Sequence, residues 1–233
     1  MSDLHANIFA VRKVFDDIDD EGVETILIAG DLIGYYYWPL EVVQLCMNDK
    51  RVKSIQGNHE QNLKLALSCK NKMLELSKIY GSCYKICKKT LSINELDWLL
   101  SLPIKLVSEH ENVSFFLSHG SLTSSNQYIY PNAPTQKLKS NYSKEDITVF
   151  GHTHHSFIHA QGEKMLLNPG SVGQPRDIGN LASYVIMDTT SKVVKFKKIP
   201  FNVQPIISKA IKIDPGITYL QDVLLRGSSE YSR

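Results

Sequence analysis

Four short strand-like runs in this chain each end, within four residues, on a side chain able to bind a cation. Residues 25–29 (TILIA) lead to Gly30-Asp31, and residues 52–56 lead to Gly57-Asn58-His59-Glu60. Residues 113–117 lead to Ser118-His119-Gly120, and residues 147–150 to Gly151-His152-Thr153-His154. Short apolar runs bounded by turn signals read as buried strands. Segments of helical spacing lie between them, such as Ile8, Val11, Phe15 and Ile18 before the first run. After it, Pro39 opens a helix with Leu40, Val43 and Met47 on one side. Alternation of this kind specifies an α/β fold, in which the carboxyl ends of neighbouring strands converge on one crevice. Asp3 and His5, at the start of the chain, join the same set.

The rest of the chain fits one domain over residues 1–233, with a helical insertion at about 61–103. Residues 61–87 are helical in pattern, with Leu63, Leu67, Leu74 and Leu76 as packing positions. Ser92-Ile93-Asn94-Glu95 has capping-box form and starts a helix that stops before Pro103. Residues 122–146, rich in Ser, Asn, Pro and Tyr, read as a long loop with a short helix, and loops of that length are usually functional. A strand at 164–167 precedes Asn168-Pro169-Gly170-Ser171. Residues 183–187 and 193–199 form an antiparallel pair, and a helix at 219–225 follows.

Composition excludes several classes. The net charge is +2, with 21% charged and 42% hydrophobic residues, an ordinary globular balance without a basic field for nucleic acid or membrane. No apolar run approaches a membrane span, and the polar start Met1-Ser2-Asp3-Leu4-His5 carries no secretory core. Cys46, Cys69, Cys83 and Cys87 lack zinc-site spacing and read as reduced thiols, which suits the cytoplasm. A homo-oligomer stays open.

The residue types decide what gathers at the crevice. Asp3, His5, Asp31, Asn58, His119, His152 and His154 offer only oxygen and imidazole nitrogen. Two carboxylates packed together repel, and several imidazoles lack acceptors; two divalent cations remove that conflict. Such a donor set suits manganese above all, with iron, zinc, nickel or cobalt also fitting. Taken singly, Gly30-Asp31 and Gly57-Asn58 are equally common as turns; their order, each at a strand end, is what argues for a metal site. Arg176 can fork onto phosphate oxygens or pair with Asp177. The run Tyr35-Tyr36-Tyr37-Trp38 either rims the site or packs the following helix, and Tyr128 and Tyr130 pose the same choice. Asn168 fixes a turn, while His155 and His159 fall outside the pattern.

At SDLH, AGDLIG, QGNHE, SHG and GHTH the sequence resembles the calcineurin-like metallophosphoesterase superfamily, and GDLIGYYYWPLEVV, SINELDWLLSLP and LLNPGSVGQPR resemble its small stand-alone bacterial and archaeal phosphodiesterase-like branch. The resemblance implies a four-layer αββα sandwich of two mixed β-sheets flanked by helices. It implies that Asp3, His5 and His154 hold one metal, that Asp31 bridges, and that Asn58, His119 and His152 hold the other. His59 then stabilises charge on the phosphate or protonates the leaving oxygen, with Glu60 orienting it. The implied reaction is hydrolysis of a phosphomonoester or phosphodiester, small or nucleotide-like, by a metal-bridging hydroxide. The alternative is a non-catalytic scaffold that keeps the fold. One departure stands out: the family places a strand before D-x-H, and here only Met1 and Ser2 precede Asp3. Either a strand is encoded upstream of Met1, or the first strand is truncated, leaving Asp3 poorly based and the first metal weakly bound.

Overall fold

Helix α1 (Ile8–Asp20) buries Ile8, Val11, Val14, Phe15 and Ile18 along one stripe, and Asn7 caps it by accepting the Ala10 N–H. At roughly 1.5–3 kcal/mol per large apolar side chain, that stripe outweighs the weak helicity of an isolated segment. In the computed structural model, which describes residues 1–227, the chain continues through β1 (Ile26–Ile28), α2 (Pro39–Asn48) and β2 (Val52–Ser54). Next come α3 (Asn58–Ser68), α4 (Lys70–Tyr80), α5 (Cys83–Thr90), α6 (Ile93–Ser101), β3 (Lys105–His110) and β4 (Val113–Ser118). Then follow α7 (Thr135–Lys139), β5 (Ile147–Val149), β6 (Ser156–Gln161), β7 (Lys164–Pro169), β8 (Leu181–Met187) and β9 (Val194–Pro200). Helices α8 (Gln204–Ile213) and α9 (Tyr219–Asp222) close the described chain, with one 3-10 turn at Val223–Leu225.

The layers are those of the αββα sandwich. A mixed five-stranded sheet runs β3-β4-β5-β7-β6, with β4, β5 and β7 parallel and both edges antiparallel. Facing it are the parallel pair β1-β2 and the antiparallel pair β8-β9. Ala29, Ile55, Phe115, Leu117, Val149 and Leu167 fill the space between, with Val185 and Met187 against them. Residues of α1, α2, α5 and α8 pack on the outer side of β1 and β8, and Leu138 of α7 with Ile129 covers Phe150 and Leu166 on the far side.

Three elements had no counterpart in the sequence pattern. Strands β3 and β6 are the edges of the large sheet, where charged and polar residues replace the apolar run that marks a central strand. Helix α8, with Pro205 in its first turn, was missed although Ile206, Ile207 and Ala210 recur at helical spacing along its buried side. The helical stretch expected over 61–87 is three helices, divided at Cys69, which is extended, and at Gly81, whose φ of 72° ends α4.

The start of the chain differs most from expectation. Residues 1–3 lie alongside β1: the Met1 amine donates to Leu27 O at 2.8 Å, Ala29 N–H to Met1 O at 2.9 Å, and Asp3 N–H to Gly30 O at 3.0 Å. On the other side Val172 and Gly173 donate to Ser2 O and Asp3 O, and Ser183 of β8 donates to Ser171 O. Three residues therefore stitch the two small sheets together at the site end, and Asp3 has a rigid base after all. Further from the site, β1 and β8 stand apart across a cavity of about 770 Å³ lined by Met1, Ile26, Leu27, Phe115, Tyr184 and Ile186.

Candidate metal centre

The strand-end residues converge as the topology requires. Asp3, His5, Asp31, Asn58, His119, His152 and His154 are all buried. Asp3, His5 and His154 form one cluster with a ligand atom each within 4.8 Å of the others, and Asp31, His119 and His152 form a second. Asp31 also groups with His5 and His59, which puts its carboxylate between the two clusters.

Local conformation is forced as well as placed. Asp3, His5, Asp31, His152 and His154 all have φ between 49° and 65°, the left-handed region that costs a non-glycine residue on the order of 1–3 kcal/mol. Packing and hydrogen bonds hold them there. The Asp3 carboxylate accepts His152 N–H at 3.1 Å, and Asp31 Oδ1 accepts His59 N–H at 2.8 Å, at the start of α3 where the helix dipole favours an anion. Asn168 donates to Gly151 O at 2.7 Å and to Thr153 Oγ1, and accepts from Gly170 N–H. It braces the loop that carries His152 and His154.

Three imidazoles spend one nitrogen on a backbone carbonyl. His5 Nδ1 donates to Ile33 O (3.1 Å), His154 Nδ1 to Gln174 O (2.7 Å) and His119 Nδ1 to Ala29 O (2.7 Å). A neutral ring has only one N–H, so the Nε2 of His5 and of His154, which burial keeps neutral, presents a lone pair, and that of His119 does so once it gives up its second proton. Those lone pairs face each other and other acceptors. His5 Nε2 lies 3.0 Å from His154 Nε2, which is 3.2 Å from Asp3 Oδ1, and His119 Nε2 is 3.0 Å from both Asn58 Oδ1 and Asp31 Oδ2. His152 Nε2 is buried with no partner. Acceptors packed against acceptors repel unless a cation lies among them, so the residues present fit divalent metal ions.

The family assignment rests on a separate comparison. The model of the calcineurin-like phosphoesterase superfamily domain matches residues 1–192. The chain belongs to that superfamily. It is by that membership a phosphoric ester hydrolase. It is 29% identical to the uncharacterized protein MJ0912 of Methanocaldococcus jannaschii, over 91% of this chain and 90% of that one. It is 25% identical to phosphodiesterase YfcE of Escherichia coli strain K12, over 92% and 96%. The solved structure of hypothetical protein PH1004 from Pyrococcus horikoshii OT3 shares the fold, with a TM-score of 0.83 at 19% identity over 99% of this chain and 98% of that one.

In this phosphoesterase a pocket of about 280 Å³ opens on the candidate metal ligands. Asp31, Asn58, His59, His152, His154 and Arg176 line it, with Tyr35, Tyr80 and Tyr128 as aromatic walls. The tyrosine run thus divides: Tyr35 meets His5 edge-on at 4.8 Å in the pocket, while Tyr36, Tyr37 and Trp38 pack against the core. Tyr128 stacks on His152 at 4.0 Å. Arg176 does not pair with Asp177, which holds Lys198 instead. Its Nη2 donates to Tyr35 Oη at 3.4 Å and its Nε lies buried without an acceptor. His159 hydrogen-bonds Tyr142, and His155 packs near Tyr130, both away from the pocket.

The expected pairing of Glu60 with His59 is absent. Glu60 is buried and accepts three backbone N–H groups, from Asp31 (3.0 Å), Ile33 (3.2 Å) and Gly57 (2.7 Å). A carboxylate two residues into α3 reaches back across the helix start, and the neighbouring loop supplies more donors than the imidazole can. His59 Nδ1 instead meets the Tyr84 hydroxyl at 2.7 Å. Asn62, Tyr80 and Tyr84 escaped the sequence reading. Asn62 follows His59 at helical spacing, a usable signal, but Tyr80 reaches the pocket and Tyr84 reaches His59 only through the fold of α4 and α5.

Metal binding is expected to release protons. Burial opposes charge on His119, but Asp31, its hydrogen bond to Asp31, and Asp3 outweigh that and push its pKa up to about 10. Below that pH the metal-free protein holds a proton that a cation must displace. Affinity therefore rises with pH between 6 and 9, by about tenfold per unit for each proton released. Calorimetry in buffers of different ionisation enthalpy reads the proton count; a dissociation constant independent of pH contradicts the scheme.

Proposed function

We propose that this chain, acting as one domain over residues 1–233 with an insertion at about 61–103, hydrolyses a small phosphate ester with two divalent cations. Asp3, His5 and His154 would hold one, Asn58, His119 and His152 the other, and Asp31 both. The opposed Nε2 lone pairs of His5 and His154 carry this reading. Bound cations supply Lewis acidity to the phosphoryl oxygens and make the attacking water acidic. Manganese suits the nitrogen and oxygen donors best. The four cysteines are unpaired, in keeping with a cytoplasmic setting.

The protein's own groups do the rest. Arg176 offers an unpaired Nε beside the cluster, and a phosphoryl group completes its hydrogen bonding. Tyr35, Tyr80 and Tyr128 limit water and take an apolar or planar leaving group, and the 280 Å³ volume fits a mononucleotide-sized ester rather than a polymer. The scaffold-only alternative drew on a poorly based Asp3, and nothing in the described residues favours it.

The test is hydrolysis of aryl phosphomonoesters and phosphodiesters by metal-stripped protein reloaded with Mn²⁺. Loaded, folded protein inert toward the whole panel would sink the proposal. Arg176→Ala is expected to lower kcat/KM by about 10–100-fold, the loss of a charge-assisted hydrogen bond of ~1.5–3 kcal/mol. Arg176→Lys recovers only part, because an ammonium lacks the fork.

A further inference from the structure

His59 is enclosed by the loop of Gly34 and Tyr35 and by two tyrosines of the helical insertion. Tyr35 and Tyr80 lie at ring separations of 4.8 Å from it, and Tyr84 stacks at 5.9 Å with 27° between planes. The ring needs Gly34 beside it: a Cβ there would stand 2.1 Å from His59 Nδ1. Its Nδ1 hydrogen-bonds the Tyr84 hydroxyl at 2.7 Å, with both side chains buried. Among the described residues no carboxylate bonds to this imidazole.

The direction of that hydrogen bond follows from what surrounds the hydroxyl. Burial keeps the Tyr84 phenol protonated. A buried O–H needs an acceptor, and His59 Nδ1 lies 2.7 Å from it. A ring that accepts at Nδ1 carries its proton at Nε2. A ring nitrogen of His59 lies within 4.8 Å of ligand atoms of His5 and Asp31, so this ring edge belongs to the reacting side of the pocket.

We propose that Tyr84 is a positioning residue that locks His59 as a neutral Nε2–H donor aimed at the phosphoryl group. The inference rests on the proposed phosphoesterase reading and sharpens it. A neutral imidazole that gave up its Nε2 proton would be left an imidazolate, so His59 keeps the proton and stabilises growing negative charge on a phosphoryl oxygen by hydrogen bonding. No bond to the proton breaks, and the leaving oxygen departs as the anion and takes its proton from solvent water.

Nitrogen-15 NMR of the metal-free protein above pH 8 tests the tautomer without relying on turnover. His59 is expected protonated at Nε2 in the wild type, and Tyr84→Phe loses that preference with the fold unchanged by circular dichroism. Tyr84→Met, which also removes the hydroxyl, gives the same loss should the phenylalanine variant misfold. In the Mn²⁺-loaded enzyme, Tyr84→Phe lowers kcat about 10–100-fold with KM little changed, equally for good and poor aryl leaving groups. A wild-type ring protonated at Nδ1, or variants that keep the wild-type tautomer, overturns the proposal. So does a loss confined to poor leaving groups. The right tautomer in a protein that hydrolyses no ester would leave this inference standing and remove the proposed function instead.

Discussion

Asp31→Asn is expected to abolish phosphoester hydrolysis, with kcat falling by at least about 10³-fold, or ~4 kcal/mol of barrier. Among the described residues no other carboxylate falls in both the His5–His59 group and the His119–His152 group. His119 Nε2 lies 3.0 Å from Asp31 Oδ2 and His5 Nε2 lies 4.0 Å from it. The amide keeps the shape and the Oδ1 that accepts His59 N–H, so α3 still starts correctly. What it removes is the negative charge that lets two cations approach one another. Elemental analysis is expected to read about one metal or fewer per chain against two in the wild type. Full metal content together with more than a tenth of wild-type activity would falsify the bridging role.

Glu60→Ala is expected to cost the most stability, about 3–6 kcal/mol. Three buried N–H groups, on Asp31, Ile33 and Gly57, lose their only acceptor of short distance, and each orphaned donor costs roughly 1–3 kcal/mol. The cavity left by the side chain adds to the loss. Oε2 takes both Asp31 and Gly57 while Oε1 takes Ile33, so Glu60→Gln keeps an oxygen for two of the three and loses about 1–3 kcal/mol. Activity falls with stability, because the same bonds clamp the Asp31 loop to the Asn58 loop. Denaturant melts of both variants decide it: an alanine variant within 1 kcal/mol of wild type would mean that water satisfies those groups.

How far the sequence reached is clearest residue by residue. Asp31, Asn58, His119, His152 and His154 were legible because each sits just after a strand, and strand ends in an α/β sheet share a crevice whatever the details of packing; Asp3 and His5 were legible only as part of the family's motif order. The capping box at Ser92 and the β8-β9 pair were legible because they are local patterns. Glu60 was misread: its helical position was apparent, but two of its three partners, Asp31 and Ile33, sit on a loop nearly thirty residues earlier in the chain. Asp3 was misjudged for the same reason, since its support comes from Gly30 and from Val172 and Gly173.

Donor identity and order along the chain were written in the sequence by itself. Those two facts chose the fold class and the chemistry, because ligand type selects the ion and strand-end placement selects the meeting point. Tertiary structure alone decided which ring nitrogens stay unprotonated, which side chain holds His59, and that five site residues occupy left-handed backbone. Those outcomes depend on hydrogen bonds between distant segments, where a shift of an ångström turns a donor toward a different acceptor and no local pattern records the choice.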